Sequence, residues 1–355
     1  MVIAIPGLSQ AGSTPAGVPG REAGPSVAQP AATAPATGTT TPATGAAASP
    51  DVRSAATPGQ AYVPPLHGTN PHATGTGLVV DLNPSGATPL PLNPVTGSAG
   101  SGEEDVVVGR SLGEQRADGS YHGHITILAA LGNEILSEDT VAGQSVTGPL
   151  TAVQTGLLNN VCTTLQICLT VLEANSATTT SGTTNKFEAA GVTLGSNVVP
   201  GLAALNLGAV TTDGNISTQG SCQVAHADST VASLTLSGEA ALGAAQSTSD
   251  TTTCAAGGAS VAPHATSSVV DLGGQGITLP LVLDPPGCAN GTPNTAAGIP
   301  AVLPIYCNAD DTNGTQTTIP YNVREALSVF VLSLGGGTGL AKVTAGASET
   351  AAAAP

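Results

Sequence analysis

Along most of the chain, apolar positions either alternate with polar ones or fuse into short solid runs, the two patterns of β-strands. The clearest run, 326–334, is apolar at nearly every position, as in a strand covered on both faces. Gly335, Gly336, Gly337 and Gly339 follow as a turn that tolerates positive φ. Residues 340–348 then alternate, with Ala341, Val343, Ala345 and Ala347 on one face and Lys342, Thr344 and Ser348 on the other. A strand this apolar so near the end of the sequence predicts a final hairpin that closes a sheet begun far upstream.

Upstream, strands are predicted over 74–82, ended by Asn83-Pro84, over 106–108 after Glu103-Glu104-Asp105, and over 123–131. Residues 149–171 hold the one helical pattern, with Val153, Leu157, Leu158 and Val161 near helical spacing, but the β-branched latter part reads equally as strand. Beyond it, short Thr/Ser/Val strands recur between Gly, Asn and Pro turns. The fold class expected is mainly β, β-sandwich-like or layered antiparallel sheets, with at most one short helix. Pro71-His72-Ala73-Thr74, followed by Val79-Val80-Asp81-Leu82, is echoed by Pro263-His264-Ala265-Thr266 and Val269-Val270-Asp271-Leu272, and faintly by Ala225–Val231. The echo reads either as chance in a biased composition or as a duplicated β unit in two packed halves.

Residues 1–60 are rich in Pro, Ala, Thr, Gly and Ser and cannot offset their ordering entropy by burial. They read as a low-complexity, extended arm: a spacer, an O-glycosylated stalk, or a segment that orders on a neighbouring subunit. Residues 61–351 form the β region, with a division into 61–170 and 171–351 left open, and 352–355 a tail. Only 2% of residues are aromatic and Trp is absent, so the core must be thin and built from small side chains. Seven Lys and Arg stand against 23 Asp and Glu, a net charge of −16 that argues against nucleic acid and anionic membranes. No run approaches the ~18 apolar residues of a membrane helix. Met1 to Ile5 is too short for a signal core, and no wall-sorting signal is visible near the end.

Cys162, Cys168, Cys222, Cys254, Cys288 and Cys307 include no CxxC pair, which disfavours zinc-finger and thioredoxin-like readings. An even count in such a composition reads as three disulfides in an oxidising compartment. The expected pairing is sequential, Cys162–Cys168, Cys222–Cys254 and Cys288–Cys307, each closing a local loop.

Chemistry-bearing patterns are few. His122-x-His124 puts two imidazoles on one strand face, a spacing that metal sites use, and His67 and His72 are candidates to approach them. No acidic or cysteine partner is adjacent in sequence, so the expectation is a surface pair and no metal. Asn308, Asp310, Asp311 and Asn313-Gly314 form an oxygen-rich stretch without the full EF-hand register, expected as a polar turn rather than a calcium site. The 335–339 glycines precede no helix and so make no phosphate loop. No GxSxG elbow occurs, and the lack of Trp removes the usual sugar-stacking platforms. No catalytic residue, cofactor or enzyme activity is expected. Asn215-Ile-Ser217, Asn290-Gly-Thr292 and Asn313-Gly-Thr315 are glycosylation-type triplets, so glycans are a candidate partner.

The segment IPYNVREALSVFVLSLGGGTGLAKVTAGASETA, preceded by GITLPLVLD, resembles the secreted actinobacterial proteins of the choice-of-anchor P family. The likeness spans roughly 171–351 and is one of pattern: small Ala/Ser/Thr strands, a segment like Asn322 to Val329, and a Val-rich final strand. The chain departs from the family in lacking a recognisable anchor. The resemblance implies an extracellular or cell-surface location and no known activity. Low charge, scarce Lys on strands and the long arm lead to the expectation of a structural surface protein that forms homo-oligomers, as filament or layer, by strand or arm exchange. The alternative is a monomeric adhesin or ligand-binding module.

Overall fold

The structure, a computed structural model, describes residues 60–61, 70–82, 104–130, 132–195, 198, 204–236, 240–255, 257–269, 286–296, 305–311, 319, 321–332 and 340–355. The arm up to residue 59, His67, Asn313-Gly314 and the 335–339 glycines lie outside them.

The chain opens with β1 (Gln60–Ala61), β2 (His72–Leu82), β3 (Val106–Gln115), β4 (Tyr121–Ala130) and β5 (Asn133–Val141). Then come β6 (Gln144–Val146), helix α1 (Ala152–Leu165), β7 (Ile167–Thr178), β8 (Gly182–Gly195), β9 (Ala204–Leu207) and β10 (Val210–Gln219). The series continues with β11 (Cys222–Val231), β12 (Leu234–Leu236), β13 (Ala240–Leu242), β14 (Ala245–Cys254) and β15 (Val261–Val269). A helical turn, α2 (Pro286–Ala289), precedes β16 (Thr295–Ala296), β17 (Ile305–Asp311), β18 (Tyr321–Leu332) and β19 (Leu340–Ala351). Two antiparallel sheets result. Sheet I runs β1-β5-β4-β3-β2-β19-β18-β17-β16, and sheet II runs β13-β12-β9-β8-β10-β11-β14-β15 with β7 and β6 added beside β8. The fold is therefore mainly β, and the last two strands do complete a sheet begun at residue 60. Sheet I is made from both ends of the β region and sheet II from its middle, so a cut at 170/171 falls inside β7.

The sheets pack face to face. Leu78, Val108, Ile125 and Val343 of sheet I share one buried apolar cluster with Phe187, Val210, Val231 and Ala245 of sheet II. Beyond this cluster the interface changes character and is held by hydroxyls. Ser111 meets Thr212, Ser348 meets Ser249 and Thr350 meets Thr251, each pair with oxygens 2.8 Å apart. Ser229 donates to the Thr76 carbonyl at 2.7 Å. Backbones come close enough here that a Cβ on Gly75 would strike the carbonyl oxygens of Asp228 and Asp213.

A crease across sheet I separates the two halves. In β4, β3, β2, β19, β18 and β17, the residues Ile127, Gly109, Gly77, Gly346, Ala326 and Asn308 each fall out of the ladder, while pairing is registered on both sides of them. On alternate strands the crease residue has positive φ: Gly109 at 64°, Gly346 at 69° and Asn308 at 56°. Each strand thereby shifts its side-chain phase by one and continues to face sheet II. In β2, Ala73 and Gly75 face inward before the crease, and Leu78 and Val80 after it. In β19, Ala341, Val343 and Ala345 face inward, and then Ser348 and Thr350. Strict alternation therefore fails after Gly346: Ala347 takes the face of Lys342, and Ser348 lies on the face of Ala341. Sheet II fills the crease, since a Cβ on Gly77 would strike the Val210 side chain and one on Gly109 would lie 2.5 Å from Phe187 Cδ1. Phe187 is the largest fully buried side chain described.

Helix α1 starts at a capping box, with Thr151 Oγ1 accepting from Gln154 N and Gln154 Oε1 accepting from Thr151 N. It stops where Gln166 turns left-handed at φ 58°. The helical pattern thus covers only the first part of 149–171, and strand β7 takes the rest. The six cysteines pair in sequence order: Cys162–Cys168 ties α1 to β7, Cys222–Cys254 links facing residues of β11 and β14, and Cys288–Cys307 ties α2 to β17. The echoed segments occupy unlike places, β2 in the middle of sheet I and β15 at the edge of sheet II.

Gly109→Ala is expected to cost about 2–4 kcal/mol, from a strained left-handed alanine plus overpacking against Phe187. Urea denaturation should show part of that loss recovered when Phe187→Leu is added. Gly156→Ala, exposed on α1 with open space around it, should instead stabilise by about 0.5–1 kcal/mol.

Candidate functional site

Inward-facing Tyr121 and Gly123 alternate with outward-facing His122 and His124 along β4. Antiparallel register then sets the neighbours: Glu114 of β3 faces His122, and Asp139 of β5 faces His124. Asp139 Oδ1 lies 2.9 Å from His122 Nε2 and 2.8 Å from His124 Nδ1, so one carboxylate oxygen bridges both rings. The far nitrogens are held too, His122 Nδ1 by Glu114 at 3.0 Å and His124 Nε2 by Glu134 at 2.6 Å. The expectation of a pair without acidic partners is corrected: three carboxylates surround it, all supplied across strands. His67 lies outside the described residues. His72 shares the outer face but is engaged elsewhere, by the Asn70 carbonyl at 2.7 Å and by Glu349 at 3.0 Å.

The charges support one another. Burial works against a charged His124 ring, but the hydrogen bonds of Asp139 and Glu134 outweigh it and lift the ring to about 9. His122 is raised in the same way, against burial, by Asp139 and Glu114. Burial pushes the Asp139 carboxyl up, yet both imidazoles together hold it well below the usual carboxylate range. Thr126 Oγ1, His124 and Asp139 superficially resemble a nucleophile, base and acid. However, Thr126 is buried and donates to Glu134 at 3.0 Å, and a ring with both nitrogens protonated has no lone pair to accept a proton.

Further along the same outer face, Arg110 is buried in a fork with Glu104, at 2.7 Å for Nη2, and donates to Thr76 at 3.0 Å. Burial lowers its pKa to about 10. Lys342, fully buried, donates to Glu325 at 2.9 Å, and Ser328 donates to the other carboxylate oxygen. Asp81, opposite Lys342 across β2 and β19, is pushed up to about 8 by burial, with the Lys342 ammonium pulling the other way.

A second, more open group lies on sheet II, where His226 bonds Asp250 at 2.8 Å and Asp228 at 3.2 Å. The hydrogen bond that His226 donates to Asp228 leads in raising the ring to about 9. Of the oxygen-rich stretch, 308–311 lie in β17 rather than in a turn, and Asn313-Gly314 lie outside the described residues. Asn308 is a crease residue whose amide donates to the Gly287 and Cys288 carbonyls and accepts from Ser267. Arg324 Nε lies 3.7 Å from Asp310. Asn215 accepts from the Asn185 backbone within sheet II, and Asn290 sits in an exposed turn.

No protein-family model, curated protein or solved structure matches the chain. Fold and site together define a disulfide-stapled, two-sheet antiparallel sandwich with a histidine–carboxylate cluster on one outer face. No described helix is long and apolar enough to cross a membrane.

The folded chain keeps on Asp81 a proton that the unfolded chain releases near 3.8. Its contribution to stability is therefore full below that pH and is lost as pH rises through about 8. Asp81→Asn should leave the urea midpoint little changed at pH 4 and raise it at pH 9. Lys342→Ala should cost about 3–5 kcal/mol, because Glu325 stays buried without its cation.

Proposed function

We propose that the chain is an extracellular, non-catalytic structural protein of a cell surface that assembles with copies of itself by arm exchange. The observation that carries this reading is the outer face of sheet I. Val79, Val107, Val323, Tyr321 and Ala351 point outward and are buried, while the described strands packed against sheet I belong to sheet II, on its inner face. Such a sheet is covered on both faces, and the outer face is already buried within a single chain. In the proposed assembly, copies exchange their 1–59 segments across this face. That segment joins sheet I at its edge, where Gln60 and Ala61 pair with Glu134 and Asn133. Extended, it reaches about 200 Å, against about 40 Å for the width of a nine-stranded sheet. Three local disulfides support an oxidising, extracellular setting.

A monomeric binding module is the second reading, favoured by the blunted sheet edges. Edge strand β15 carries Pro263, and Arg324 donates to its Ala265 carbonyl at 3.0 Å. β1, β13 and β16 are only two or three residues long. Sedimentation and negative-stain microscopy of the full chain, beside a variant lacking residues 1–59, test the proposal. Regular fibres or sheets that vanish with the deletion are expected. Dispersed monomers, unchanged on concentrating the full chain, would overturn assembly and leave the binding module.

A further inference from the structure

We propose that His122, His124 and Asp139 form a binding site for one divalent transition-metal ion, with Zn2+ the natural occupant. The geometry carries the argument in three steps. First, one donor atom from each residue lies within 4.8 Å of the other two. The nitrogens that converge are His122 Nε2 and His124 Nδ1, both already aimed at Asp139 Oδ1. Zinc binds imidazole nitrogen and carboxylate oxygen at about 2.0–2.2 Å, so the donors close around an ion by side-chain rotation, each converging nitrogen releasing its proton to solvent as the ion enters. The two rings, with centroids 6.1 Å apart and planes inclined by 29°, project side by side from one strand.

Second, the outer partners are in place. Metal-bound histidines characteristically give their other nitrogen to a carboxylate, which fixes ring orientation and strengthens the ligand. Glu114 does this for His122 and Glu134 for His124. A surface histidine pair has no need of two further carboxylates on its far nitrogens. Third, the setting selects the ion. Two imidazoles with one carboxylate suit zinc, copper or nickel, whereas calcium and magnesium prefer all-oxygen shells. The three surrounding carboxylates favour a dication. The side chain of Asp139 is 49% exposed, against 11% and 16% for the two histidines. The ion therefore enters past Asp139, and its fourth position opens to water or to a donor atom of a ligand.

The second group, His226 with Asp228 and Asp250, brings a single imidazole to its carboxylates and serves as the control. Titration of the full, tag-free chain with ZnCl2, followed by calorimetry and equilibrium dialysis, tests the assignment. One zinc per chain is expected, with affinity at least tenfold weaker in Asp139→Asn, about 10–100-fold weaker in Glu134→Gln, and unchanged in His226→Ala. X-ray absorption of the zinc-loaded chain should show two imidazole ligands that the variant His122→Ala/His124→Ala lacks. The absence of stoichiometric zinc binding, or binding of equal strength in that double variant, would overturn the site. If the double variant fails to fold, the half-exposed Asp139→Asn decides: an affinity equal to that of the unaltered chain overturns the proposal.

Discussion

The structure depends on six strands of sheet I giving up one ladder position each along a common line. A single bulge would disturb register with both neighbours. Repeated across β4, β3, β2, β19, β18 and β17, the interruption is absorbed, because every strand shifts its phase together. Gly109 and Gly346 supply the positive φ that side-chain-bearing residues resist, and Asn308 is the one non-glycine that does the same, with its amide fully bonded. The depression receives Phe187 and Val210, so the largest buried side chain of sheet II is seated on the missing Cβ atoms of sheet I.

This arrangement explains how a chain with almost no aromatic residues closes a large sandwich. On one side of the crease, Leu, Ile and Val fill an ordinary apolar core. On the other, Gly, Ala, Ser and Thr bring the sheets so near that hydroxyls reach across and bond in pairs. Small side chains contribute little transfer energy each. Their contribution is proximity, with buried polar groups satisfied as burial requires.

The strand periodicity of the final hairpin, the 74–82 strand and the mainly β character were legible in sequence because they rest on local alternation. The crease was not. Gly77 falls inside the predicted 74–82 strand and Gly109 directly after the predicted 106–108 strand, and only their neighbours across the ladder show that they form a line, although glycine inside a strand is itself a sign of close backbone approach. The partners of His122 and His124 were hidden for a related reason. Asp139 reaches His124 through the register of the β4–β5 hairpin, so counting outward from the Ala130–Asn133 pair reveals it. The fate of Asn308 was beyond reach, since its role is set by strands and a helical turn that meet only in the folded chain.

The position of β19 has a temporal meaning. It sits between β2 and β18, so residue 72 pairs with residue 351. Loop closure over so long a stretch is slow, and contacts of this range dominate folding rates. The described strands of sheet II all lie between residues 144 and 269, ahead of β16 to β19 in the chain. A ribosome or translocation channel that delivers this chain from its N-terminal side therefore releases β2 early and must leave it unpaired on one side until residues 340–351 have emerged.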